Sequence, residues 1–70
     1  MTEAEWMMDD WEATKVVLGV EFKLSNEGLW YSLGGAVIGR FTKSNRNWTL
    51  TQDGYSDTFS SCKEAMQNAS

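Results

Sequence analysis

The sequence predicts an α+β fold: a small antiparallel four-stranded sheet with a short N-terminal helix and a C-terminal helix, in the order α-β-β-β-β-α. Three observations carry this. Apolar residues alternate with period two from Val16 onward, glycine-bearing turn signals interrupt that alternation, and a Ser/Thr-x-x-Glu capping box stands near each end of the chain. Seventy residues suffice for a single domain over 1–70 and exclude two.

Thr2-Glu3-Ala4-Glu5 opens the first helix, and Ala4, Met7, Met8 and Trp11 follow at the i, i+3, i+4, i+7 spacing of one helical face. The spacing predicts a helix over 3–13 within an acidic helical segment, 1–15. Its acidic first turn suits the positive end of the helix dipole. From Val16 to Leu24, Leu18, Val20, Phe22 and Leu24 alternate with Val17, Gly19, Glu21 and Lys23 as in a half-buried strand, ended by Asn26-Glu27-Gly28. A three-residue loop closing on Gly is a type I turn with a G1 bulge. A second strand spans 29–33, a two-residue Gly34-Gly35 turn leads into a third over 36–43, and a polar turn at 44–47 precedes a fourth at 48–51, closing an antiparallel sheet over 16–51. Ser61-Cys62-Lys63-Glu64 starts the last helix, 60–69, with Cys62, Ala65, Met66 and Ala69 at helical spacing.

Register then assigns the faces. With Ser25 opposite Leu29, Lys23 faces Tyr31, and Phe22 shares a side with Trp30. A two-residue Gly-Gly turn sets Tyr31 against Ile38 and Trp30 against Gly39, and the next loop sets Phe41 against Leu50. The expected core collects Leu18, Val20, Phe22, Leu24, Trp30, Val37, Phe41, Trp48 and Leu50 under the Cys62, Ala65, Met66 stripe. The opposite face then holds Leu29, Tyr31, Leu33, Ala36 and Ile38. Either Met7, Met8 and Trp11 of the first helix cover it, or a partner or a second copy of the chain does, as in a homodimer.

Composition narrows the chemistry. With one Cys and no His the chain can form neither an intramolecular disulfide nor an ordinary zinc site, and it lacks the imidazole of Ser/His and Cys/His pairs. GxSxG, GxxxxGK[ST] and GxGxxG are absent. The expectation is therefore a non-enzymatic protein with no catalytic residue, cofactor or metal, and with Cys62 as a small buried hydrophobe. No stretch approaches the roughly 20 apolar residues of a membrane span, and no basic leader opens the chain, so the expected location is cytoplasmic.

The net charge of −4 has the wrong sign for coating nucleic acid. Acidity is concentrated near the start: residues 1–21 hold Glu3, Glu5, Asp9, Asp10, Glu12 and Glu21 against Lys15 alone. Glu5, Trp6, Asp9 and Glu12 on this segment, with Leu29, Tyr31 and Ile38 on the second sheet face, are the candidate partner-binding residues. The partner they suggest is a larger intracellular protein with a basic surface. The expected function is thus a protein-binding module, a regulator or inhibitor that occupies such a surface, of a type that small phage or plasmid proteins exemplify.

A second constellation, Arg40, Lys43, Asn45, Arg46 and Trp48, sets basic and amide side chains beside an aromatic on a hairpin, as a sheet-based DNA-binding module would. From Leu29 onward, strands followed by a helix opening TFSSCKEAMQNA resemble the DNA-binding modules at the start of tyrosine recombinases, on the strength of Phe59, Ser61, Glu64 and Ala65. That family is basic where this chain is not. The resemblance implies DNA contacts from the sheet.

Overall fold

A computed structural model describes residues 2–8, 10–40 and 47–69. The class is α+β, as the sequence predicts, but the sheet has six strands rather than four. After α1 (Glu3–Trp6) come β1 (Ala13–Val17), β2 (Val20–Leu24), β3 (Trp30–Ser32), β4 (Val37–Gly39), β5 (Trp48–Gln52) and β6 (Tyr55–Phe59), then α2 (Cys62–Gln67). The strands form one antiparallel meander in chain order, spanning 13–59 rather than 16–51.

Two hairpins account for the extra strands. Leu18 and Gly19, with φ of 50° and 78°, turn the chain between Val17 and Val20, so the expected strand 16–24 is two strands. Asp53 and Gly54, with φ of 52° and 82°, join Gln52 to Tyr55 where the sheet was expected to stop. Positive φ at both loop positions marks the type I′ turn, whose twist matches that of the strands it joins. Asp and Gly enter this region readily. Leu18 does so at about 1–2 kcal/mol, while its side chain stays 76% exposed.

The next loop forms as the sequence predicts. Ser25 N–H donates to the Leu29 carbonyl at 2.8 Å, Gly28 N–H donates to the Ser25 carbonyl at 3.1 Å, and Gly28 has φ of 85°. Lys23 accordingly faces Tyr31.

The β3–β4 turn differs. Its loop is Leu33-Gly34-Gly35, three residues rather than two: Ser32 N–H donates to the Ala36 carbonyl at 3.0 Å, Gly35 N–H donates to the Ser32 carbonyl at 3.1 Å, and Gly35 has φ of 100°. The Ser32 hydroxyl, itself buried, accepts from Ala36 N–H at 3.0 Å. One added loop residue moves the register by one, so Tyr31 faces Val37 and Trp30 faces Ile38. Because side chains alternate with period two, the slip exchanges the faces of β4. Ala36 and Ile38 enter the core at 0% exposure, and Val37 moves to the opposite face. Ile38 is therefore a core residue and leaves the candidate binding face.

Across β4–β5, Ile38 pairs with Leu50 where Phe41 was expected to. Phe41 and Lys43, with most of the expected 44–47 turn, lie outside the described residues. The core consists of Val17, Phe22, Ala36, Ile38 and Leu50 from the sheet side and Ala65 and Met66 from α2, with Val20, Trp30, Trp48, Phe59 and Cys62 at its margin. Leu18, expected inside, sits in a turn. The helix packs on β4, β5 and β6 and also reaches β1, so the sheet curls around it. Its N-cap is the expected one: the Ser61 hydroxyl accepts from Glu64 N–H at 3.1 Å.

The first helix is one turn, 3–6, instead of the expected 3–13. Thr2 caps it as expected, its hydroxyl accepting from Glu5 N–H at 3.2 Å. The ladder already departs from α geometry at Met8, whose N–H donates to the Glu5 carbonyl at 3.3 Å instead of to that of Ala4, and a longer helix would also need the Trp6 carbonyl as acceptor for residue 10. That carbonyl is already taken by Trp11 Nε1–H at 3.2 Å and by Lys23 Nζ at 2.7 Å. Met7 and Met8, expected to bury the helix, are exposed, and Trp6, expected off the packed stripe, is 6% exposed.

The two registers make opposite predictions for adjacent residues. Ile38→Asp places an unpaired carboxylate in the core and costs several kcal/mol, enough to unfold a domain of this size. Val37→Asp costs about 1 kcal/mol or less. Urea midpoints of the two variants check this. Leu18→Asn relieves the left-handed strain and raises stability by about 1 kcal/mol, read as a higher thermal midpoint.

Candidate functional site

With α2 on one face of the sheet, the N-terminal segment crosses part of the other. It is held there by aromatic rings. Trp6 and Trp11 have centroids 5.9 Å apart at 56°, and Trp11 and Tyr31 repeat that spacing and angle. Lys23 Nζ lies 4.7 Å from the centroid of Trp6 while hydrogen-bonding its carbonyl, so one end of this row of rings already carries a cation. The cross-strand pair Lys23–Tyr31 supplies the ammonium at one end and the last ring at the other.

At the Tyr31 end, the segment and the β2–β3 loop enclose a cleft of about 370 Å³. It is lined by Glu5, Met8, Asp10 and Trp11 of the N-terminal segment, by Ser25 and Asn26 of the β2–β3 loop and by Tyr31. No Lys or Arg is among these residues. Carboxylates beside ring faces favour a cationic group, through charge and through the ring quadrupole.

Farther along the same face is a shallow hollow of about 240 Å³, lined by Leu29, Val37, Gly39, Arg40, Thr49 and Thr51. Leu29 lies directly over Gly39, where a Cβ would collide with Leu29 Cδ2. The glycine thus accommodates Leu29, in place of the expected Trp30.

The structure distributes the candidate residues unevenly. It brings Glu5 and Tyr31 together in the cleft and puts Leu29 in the hollow. Trp6 is a buried anchor of the segment and presents no surface to a partner. Glu12 is exposed, at the bend just before β1, where its N–H donates to the Leu24 carbonyl at 2.7 Å. Asp9, Lys43, Asn45 and Arg46 lie outside the described residues. Arg40 lies 4.7 Å over Trp48, whose ring packs against the core margin. That ring thus contributes to the fold as well as to the Arg40 contact.

Sequence reasoning missed Asp10, Ser25 and Asn26 as cleft residues and placed Trp11 on a helical stripe. The Lys23–Tyr31 pair, legible in the sequence, marks the polar-aromatic ground on which an N-terminal aromatic would settle.

Cys62 is half-buried, and desolvation pushes its thiol above the ordinary value of 9.0, with Lys15 and Arg40 partly opposing. Among the described residues there is no cluster of three metal-ligating side chains, and no helix is long and apolar enough to cross a membrane. Comparison with protein-family models, with curated proteins and with solved structures finds no significant match.

Trp6→Ala removes the buried end of the aromatic row and costs about 3 kcal/mol. The Trp11 indole N–H should then exchange rapidly in hydrogen-exchange NMR, having lost the packing that holds it on the Trp6 carbonyl. Because a raised pKa lowers the thiolate fraction at any given pH, Cys62 should alkylate more slowly than a free cysteine at pH 8, and faster as the pH climbs past 9. Iodoacetamide kinetics followed by mass spectrometry test this.

Proposed function

We propose that this chain is a non-enzymatic protein-binding module. It sets the acidic N-terminal segment and the neighbouring sheet face against a basic surface of a larger protein, and regulates or inhibits that protein by occupying it. The observation that carries this reading is the cleft: two carboxylates beside two aromatic rings, on the sheet face that α2 leaves uncovered. The concentration of acidic residues in the first part of the sequence supports it, because complementary charge accelerates encounter with a basic partner. Aromatic anchors in a polar setting are the common centre of protein interfaces.

The reading is tested with a bait and a charge-reversed bait, Glu5→Lys, Asp9→Lys and Glu12→Lys together. A partner captured by the wild type should associate about tenfold more slowly with the triple variant at 0.01 M salt. The difference should shrink at 0.1 M as the Debye length falls from about 30 to about 10 Å. Equal rates at low salt would remove the acidic segment from the interface. A duplex-DNA titration at the same two salt concentrations checks the alternative. Saturable binding that weakens steeply with salt would favour the 40–48 hairpin as a DNA contact, and no binding at low salt is expected.

A further inference from the structure

We infer that the cleft between α1 and the β2–β3 loop receives one arginine side chain of the partner protein. The inference rests on the protein-binding reading and deepens it. The row Trp6–Trp11–Tyr31 is a cation-binding arrangement used once within the molecule, where Lys23 Nζ sits over Trp6 and on its carbonyl. Its other end, at Trp11 and Tyr31, opens into the cleft. There two carboxylates, Glu5 and Asp10, stand beside the rings, and no Lys or Arg lines the cleft.

Chemistry selects the occupant. A guanidinium is planar, stacks on an aromatic face with little desolvation, and presents several N–H donors in one plane. Two carboxylates and the Asn26 side-chain oxygen are the acceptors around the cleft that can meet them, the Ser25 hydroxyl already accepting from Glu27 and Leu29 N–H. An ammonium is compact and strongly hydrated, and it gains less from two ring walls. An anionic or purely aliphatic group would leave Glu5 and Asp10 uncompensated.

The test is an NMR titration of the full chain at low salt with the blocked tripeptide acetyl-Gly-Arg-Gly-amide, alongside its Lys and Gln counterparts. The Trp11 indole N–H and the amides of Ser25, Asn26 and Tyr31 should shift saturably in the millimolar range with the Arg peptide, while the Trp30 and Trp48 indoles serve as remote references. The Lys peptide should bind at least about threefold more weakly, and the Gln peptide should give no saturable shift. Glu5→Gln with Asp10→Asn keeps side-chain shape and should weaken the Arg peptide about fivefold or more, with the Trp11–Trp6 hydrogen bond retained in the spectrum. Three results would overturn the assignment: shifts spread over all acidic residues, Lys binding as tightly as Arg, or an unaltered affinity in the double variant. Its failure is separable from that of the proposed function. If the charge-reversed bait still associates slowly while the peptides ignore the cleft, the docking surface stands and the arginine receptor falls; the converse pattern removes the acidic docking surface alone.

Discussion

The register of β3 against β4 decides what the core of this protein is. It is held by a small motif: the N–H of Ser32 reaches the Ala36 carbonyl, the Ser32 hydroxyl accepts from Ala36 N–H, and Gly35 takes the positive φ that closes a three-residue loop. Were the loop one residue shorter, Ala36 and Ile38 would point away from α2, and Val37 would stand in their place. Leu50 then would face no isoleucine, and Ala65 and Met66 would pack on a smaller, shallower surface. The surface that β4 presents to the helix follows from this one count of loop residues.

The same motif occurs one turn earlier. Ser25 holds Leu29 as Ser32 holds Ala36, with a hydroxyl accepting from the residue four positions on and a glycine, Gly28, in the left-handed region. Both loops read Ser-x-x-Gly followed by an apolar residue: Ser25-Asn26-Glu27-Gly28-Leu29 and Ser32-Leu33-Gly34-Gly35-Ala36. The adjacent glycines of the second loop mimic the signature of a two-residue turn. The upstream serine is what distinguishes the two, because only the three-residue loop brings Ala36 N–H to its hydroxyl.

A second local competition shapes the candidate site. The backbone carbonyl of Trp6 is offered three partners: the amide that would extend α1, the indole of Trp11, and the ammonium of Lys23. The two side chains hold it, in keeping with a helix that closes after one turn with Met8 N–H on the Glu5 carbonyl. A one-turn helix is unstable on its own, so its persistence depends on the burial of Trp6 against the sheet. The arrest creates the cleft. A helix running to residue 13 would have kept Trp11 on its stripe, and Glu5 and Asp10 would not converge beside Tyr31.

What the sequence by itself determined is local. Both helix N-caps, the Asn26–Gly28 turn with its Lys23–Tyr31 pair, the identity of α2 as the cover of the sheet, and the acidic start of the chain are all legible because each depends on residues within a few positions of one another. The Asp53-Gly54 and Leu18-Gly19 hairpins were legible in principle, though the apolar alternation runs through Leu18 and hides the second. Tertiary structure alone decided which side of β4 is buried, how far α1 extends, and that Trp6 rather than Met7 or Met8 anchors the N-terminal segment. These outcomes turn on a choice between partners of similar local merit. The choice is made by which one lets the sheet, the helix and the aromatic row pack at the same time.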